Sequence, residues 1–172
     1  MIQKIAFICV FSAFLWLNPM AIAADQQHSE VFRSTEYPLP RFVSLRSNEA
    51  YVRSGPGQKY PVQWIFRKKG VPVEITLEYG AWRKITDFDG HQGWVHKSLL
   101  TGKRTGFIDS EKKTSIYKKP NKDSILQAYF EPEVLVDIRR CRSGWCHVSA
   151  AGYKGWLPQN LIWGVYEAEE FD

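Results

Sequence analysis

One pattern occurs twice in this chain, about sixty residues apart. Val52-Arg53-Ser54-Gly55-Pro56, Val73-Glu74-Ile75, Gly80-Ala81-Trp82-Arg83-Lys84-Ile85 and Gly93-Trp94-Val95 return as Ile116-Tyr117-Lys118-Lys119-Pro120, Val136-Asp137-Ile138, Ser143-Gly144-Trp145-Cys146-His147-Val148 and Gly155-Trp156-Leu157. A tandem duplication of this length fixes the architecture as two copies of one small unit. Turn prolines and glycines, β-branched alternation and tryptophans are repeated, whereas residues with acid, base or nucleophile chemistry are not. The copied object is therefore a scaffold or a binding surface, not an active site.

Ahead of the repeats, Lys4 precedes an apolar run from Ile5 to Leu17 that ends at Asn18-Pro19 and Ala21-Ile22-Ala23. The run is too short to span a bilayer, and the small residues suit a signal peptidase cutting before Ala24. Residues 1–23 read as a cleaved signal peptide, and no second apolar run of membrane length follows. The mature chain is expected to be exported, periplasmic or secreted, without a transmembrane segment.

Export places Cys141 and Cys146 in an oxidising space, where thiols tend to pair. They flank Arg142-Ser143-Gly144-Trp145, and a hairpin there would set them opposite each other, near the separation a disulfide needs. Two other readings are a redox dithiol and a metal site, since His147 follows Cys146. A structural zinc site needs four ligands, and the folded region adds only His91 and His96, both in the other repeat. A redox dithiol of the familiar kind uses Cys-x-x-Cys at a helix start.

The periodicity is that of strands. Val71, Val73, Ile75 and Leu77 alternate with polar residues and predict a strand with one buried face. Trp82 to Ile85 predicts its hairpin partner, Asp87-Phe88-Asp89-Gly90 a turn, and Gly93-Trp94-Val95 a short closing strand. Val134, Val136 and Ile138, then the turn at Ser143-Gly144, repeat the plan. No amphipathic helix is predicted, only short helical turns at Lys97-Ser98-Leu99 and Gln159-Asn160-Leu161. About five short strands per sixty residues describe a small, partly open barrel.

The string Val52-Arg53-Ser54-Gly55-Pro56-Gly57, the Gly-Ala-Trp hairpin and the closing Gly93-Trp94-Val95-His96-Lys97-Ser98-Leu99-Leu100 resemble the bacterial SH3-like domain, in two copies over residues 41 to 164. More narrowly, the chain resembles exported two-copy proteins of alphaproteobacteria with a Cys-x-x-x-Trp-Cys hairpin in the second copy. Repeat 2 departs from the motif, with Lys118-Lys119-Pro120-Asn121 in place of Ser-Gly-Pro-Gly. The expected plan is all-β: signal peptide 1–23, extension 24–40, SH3-like barrels 41–102 and 103–166, and an acidic tail 167–172. The resemblance implies binding to peptidoglycan or its peptide stems.

Charge agrees with an anionic partner. Residues 41–102 carry 10 basic against 5 acidic side chains and residues 103–166 carry 11 against 6, so each repeat nets +5 between acidic ends. Wall polymers, another anionic envelope component or an acidic protein face fit this balance; nucleic acid fits the charge but not the compartment. Arg67-Lys68-Lys69, Lys112-Lys113 and Lys118-Lys119 also read as ordinary solvated loops, and the acidic tail as cover for a basic face of its own chain. Trp94 and Trp156 read as core or groove floor. The candidate ligand-binding residues are Arg53, Tyr60, Trp64, Trp82 and Trp94 of repeat 1, an aromatic cleft with a cationic edge suited to a peptide carboxylate. No catalytic constellation, metal or cofactor is expected. The alternative function is a protein-interaction adaptor or secreted effector that binds no wall polymer. The short linker 101–106 predicts barrels fixed side by side, with Trp163 near their junction.

Overall fold

The computed structural model describes residues 35–172; the signal peptide and residues 24–34 lie outside the described residues. The strands are β1 (Arg41–Leu45), β2 (Ala50–Arg53), β3 (Val62–Phe66), β4 (Pro72–Tyr79), β5 (Trp82–Thr86), β6 (Gln92–His96) and β7 (Leu100–Thr101) in the first copy. The second has β8 (Thr105–Ile108), β9 (Thr114–Tyr117), β10 (Leu126–Phe130), β11 (Leu135–Arg142), β12 (Trp145–Ala150), β13 (Tyr153–Pro158) and β14 (Ile162–Trp163). Two antiparallel sheets result, ordered β3-β2-β6-β5-β4-β1-β7 and β10-β9-β13-β12-β11-β8-β14. Adding seven to each label of the first gives the second, so the duplication extends to topology. The fold is all-β in two tandem units, with single 3-10 turns at Lys97–Leu99 and Gln159–Leu161 where short helical turns were expected.

Each sheet closes over its own core. Leu45, Val52, Val73, Ile75, Ile85 and Val95 are buried in the first, and Ile108, Ile116, Val136, Val148 and Leu157 in the second. Each such side chain contributes about 1.5–3 kcal/mol when removed from water. The glycine of each Gly-Trp pair allows β6 to lie close against β2 and β13 against β9. A Cβ at Gly155 would sit 2.6 Å from Tyr117 O on β9, and one at Gly93 3.1 Å from Arg53 O on β2.

The long strand of each copy departs from the simple alternation. In β4 the register slips between Ile75 and Leu77, and in β11 between Ile138 and Arg140. An extra residue, Thr76 or Arg139, inverts the pattern beyond it. Leu77, expected on the buried face, pairs with Lys84 on the outer face, and Glu78 takes the inner place with no exposure.

Only Gly102, Lys103 and Arg104 separate β7 from β8, and the barrels pack side by side. Ser44 Oγ donates to Lys103 O and lies 2.6 Å from Thr105 Oγ1, which donates to Gly70 O. Trp163 stands at the junction, 5.0 Å from Phe42 and 5.6 Å from Phe88 between ring centroids. Tyr166 adds a hydrogen bond to Glu74 at 2.8 Å, and burial with that neighbouring carboxylate pushes its phenol well above the usual range. Hydrogen bonds and edge-on aromatic contacts together fix the orientation of the barrels as well as their proximity.

Candidate functional site

Cross-strand pairing decides which of the sequence-predicted residues share a surface, because directly paired residues point to the same side. In the first barrel Leu77, Lys84, Trp94 and Arg53 form one outward row across β4, β5, β6 and β2. Tyr79, Trp82 and His96 form the next, with the Trp82 and His96 rings 5.5 Å apart. Arg53, Trp82 and Trp94 are therefore brought to one face. Trp64 is not among them: it pairs with buried Val52, packs on the core side, and lies 6.2 Å from Phe66 and 6.0 Å from His91. Tyr60 lies across Gly55 and Gly57, and a Cβ at Gly55 would meet its ring. Arg53 donates to the carbonyls of Gln58 (3.1 Å) and Tyr60 (2.8 Å), so its guanidinium holds the Pro56 turn in shape.

The second barrel builds the same rows from different side chains. Arg140, His147, Trp156 and Tyr117 pair across β11, β12, β13 and β9, and Arg142, Trp145 and Pro158 form the adjacent row. Trp156 is a buried platform: His147 meets it edge-on at 5.2 Å, and the Arg140 and Arg142 guanidinia stand 5.8 and 5.4 Å from its ring centroid. Arginines placed on an indole face keep in-plane N–H donors available for an anion. Arg139, Arg140, Arg142 and Lys154 meet no carboxylate at ion-pair distance among the described residues. Burial first, then the charges of Arg140, Arg139 and Lys154, holds the His147 imidazole below its usual pKa, and its buried Nδ1 has no partner among the described residues.

Beside these rows runs an open groove of 530 Å³ walled by Tyr117, Trp145, Pro158 and Leu161, with Lys112, Lys113 and Lys122 along it. The Tyr117 and Trp145 rings stand 6.0 Å apart in an edge-on pair. Lys113 is engaged by Glu131 at 2.8 Å. This groove lies in repeat 2, whereas the expected cleft lies in repeat 1, and Lys112-Lys113, expected as a solvated loop, line it. The available signal was the second copy's Tyr117 in the position of Arg53, together with Trp145.

The cysteines settle into the hairpin. Cys141 and Cys146 are directly paired across β11 and β12 and joined by a disulfide, both inside the core. His147 points to the opposite face, so no Cys-His pair forms. Asp87, Asp89 and His91 bring three possible ligand atoms within 4.8 Å. Asp87 already accepts the His91 backbone N–H at 2.8 Å and faces its Nδ1 at 3.3 Å, closing the turn between β5 and β6.

The family model described as bacterial SH3 domain matches residues 46–102 and again 110–164. No curated protein matches the chain in sequence. Among solved structures, NlpC1 from Trichomonas vaginalis is similar at 14% identity and a TM-score of 0.34, over 77% of this chain and 49% of that one. NlpC2 from the same organism gives 16% and 0.34, over 77% and 50%. An NlpC/P60 family protein from Bacillus cereus gives 12% and 0.32, over 70% and 55%. The chain thus spans about half the length of the structures it matches. At such TM-scores these likenesses carry nothing about ligand.

Proposed function

This chain belongs to the bacterial SH3 domain family, and on that footing we propose that it is an exported, noncatalytic binding protein for peptidoglycan or another anionic component of the cell envelope. The observation that carries this reading is the second barrel's outer face, where arginines without carboxylate partners stand on Trp156 beside a groove lined by Tyr117, Trp145 and lysines. An extended anionic chain would stack its apolar parts on the rings and set its carboxylates or phosphates on the cations. The disulfide fits an oxidising compartment, in keeping with export. In the first barrel the corresponding row holds Lys84, Trp94 and Arg53, with Arg53 occupied by its own loop. A protein-interaction adaptor is the second reading, favoured by β10, an edge strand with Ile125, Leu126 and Tyr129 exposed beside or upon it.

Co-sedimentation of the oxidised protein with insoluble peptidoglycan tests the proposal. Binding is expected to persist at about 1 M salt, where the Debye length is about 3 Å, and to fail in Trp145→Ala and Tyr117→Ala. Loss of binding by salt alone reduces the interaction to nonspecific charge, and absence of sedimentation at low salt overturns wall binding. Release of soluble muropeptides from the wall would overturn the noncatalytic part.

A further inference from the structure

The acidic segment after β14 is held on the second barrel as a peptide ligand would be. Arg104 clasps the Glu169 carboxylate through both terminal nitrogens, at 2.6 and 2.9 Å, and its guanidinium lies 4.4 Å from the Phe171 ring centroid. Phe171 exchanges two backbone hydrogen bonds with Cys141, at 2.9 and 3.0 Å, and packs its ring against the core. Glu170 accepts the Ser143 N–H at 2.8 Å. β8 pairs with β11 only from Leu135 to Asp137, which leaves the edge at Cys141 to Phe171. A strand pairing, a bidentate guanidinium, an inserted aromatic and an anion at a turn N–H together form a recognition site for an extended peptide.

The fold-back that delivers this segment has an opposing cost. Its turn places Ala168 at φ 58°, a left-handed conformation disfavoured for an L-residue and relieved by extension. Burial opposes ionisation of Glu169, but the Arg104 and Tyr166 hydrogen bonds outweigh it and hold the carboxyl below its usual range.

We propose that this edge is a receptor for an acidic, extended segment of a protein partner, with a carboxylate two residues before an aromatic one, and that residues 167–172 occupy it in cis until displaced. The site uses none of the groove residues and does not depend on the polymer reading. An intramolecular occupant competes at an effective concentration of about millimolar, so a partner must exceed that threshold.

The test is fluorescence anisotropy of a labelled Glu-Ala-Glu-Glu-Phe-Asp peptide with the full chain. Glu169→Gln with Phe171→Ala, which loosens the cis segment, is expected to bind it about tenfold more tightly than wild type, and adding Arg104→Gln to remove that gain about tenfold. Equal binding to wild type and the loosened variant, binding indifferent to Arg104→Gln, or no binding by a variant that keeps its near-ultraviolet circular dichroism overturns the proposal. If that signal is lost, wild type carrying a fluorinated Phe171 decides. Excess unlabelled peptide should move the 171 resonance to its solvent-exposed position, and a resonance unmoved at about ten millimolar peptide overturns the proposal.

Discussion

The two barrels solve one shared problem with different chemistry. At the inner position beside the β4–β5 hairpin the first barrel buries Glu78 against Arg83, 3.2 Å apart with side-chain exposures of 0% and 5%. At the same register point of β11–β12 the second carries Cys141 and Cys146. Both pairs follow the bulge and face inward, and both are covered by residues flanking the strands of their barrel. Thr35 and Arg41 bond Glu78 on one side of the molecule, and Phe171 bridges Cys141 on the other. The inward position near the turn must be closed in each copy. A buried ion pair closes it by mutual satisfaction of charges that would each be costly alone, whereas a disulfide closes it without charge but only over a short loop.

The largest expected effect sharpens that contrast. Glu78→Gln leaves Arg83 buried without its counter-charge and should destabilise by about 3–5 kcal/mol in urea unfolding, while Glu78→Leu with Arg83→Met should cost much less. Equal losses in both variants would make the pair a matter of packing. Reducing the disulfide, which leaves both buried side chains in place, should cost about 2 kcal/mol by the same measurement. A larger loss than for Glu78→Gln would break the comparison. Tyr166→Phe removes the hydrogen bond that ties the second barrel to Glu74 and should cost about 1 kcal/mol.

Titration separates the barrels further. Burial raises the Glu78 pKa, but the Arg41 and Thr35 hydrogen bonds and the Arg83 charge together bring it below 4.5. Its stabilisation is therefore full above that value and lost as the pH falls through the lowered folded pKa. His147 is depressed from 6.5, so the second barrel should begin to lose stability as the pH drops below about 6.5, because the unfolded histidine takes up a proton that the folded one resists. Urea midpoints measured from pH 7 to pH 3 should show the histidine effect first, removed by His147→Gln, and the Glu78 effect later. A midpoint unchanged between pH 7 and 5 in wild type would break this ordering.

Much of this could be read without coordinates. The duplication, the strands, the turns, the hairpin that joins the cysteines and the junction role of Trp163 follow from local patterns: alternation, glycine at turns and spacing between copies. The candidate face was harder. Trp82, Trp94 and Arg53 share one face through the register of β5, β6 and β2, but Trp64 sits on a strand whose pairing with β2 turns it to the core. Arg140 and Arg142 were invisible as partners of Trp156, because their contact depends on strands distant in sequence and on where β11 carries its extra residue.

That this protein is two copies of one small β unit is written along the chain, because repeated turns and period-two alternation are local properties. Tertiary structure alone decided which side chains meet. A side chain's face reverses with every residue, so one bulge residue in β4 or β11 exchanges inside for outside beyond it. That parity is set by pairing across strands and not by any pattern along one.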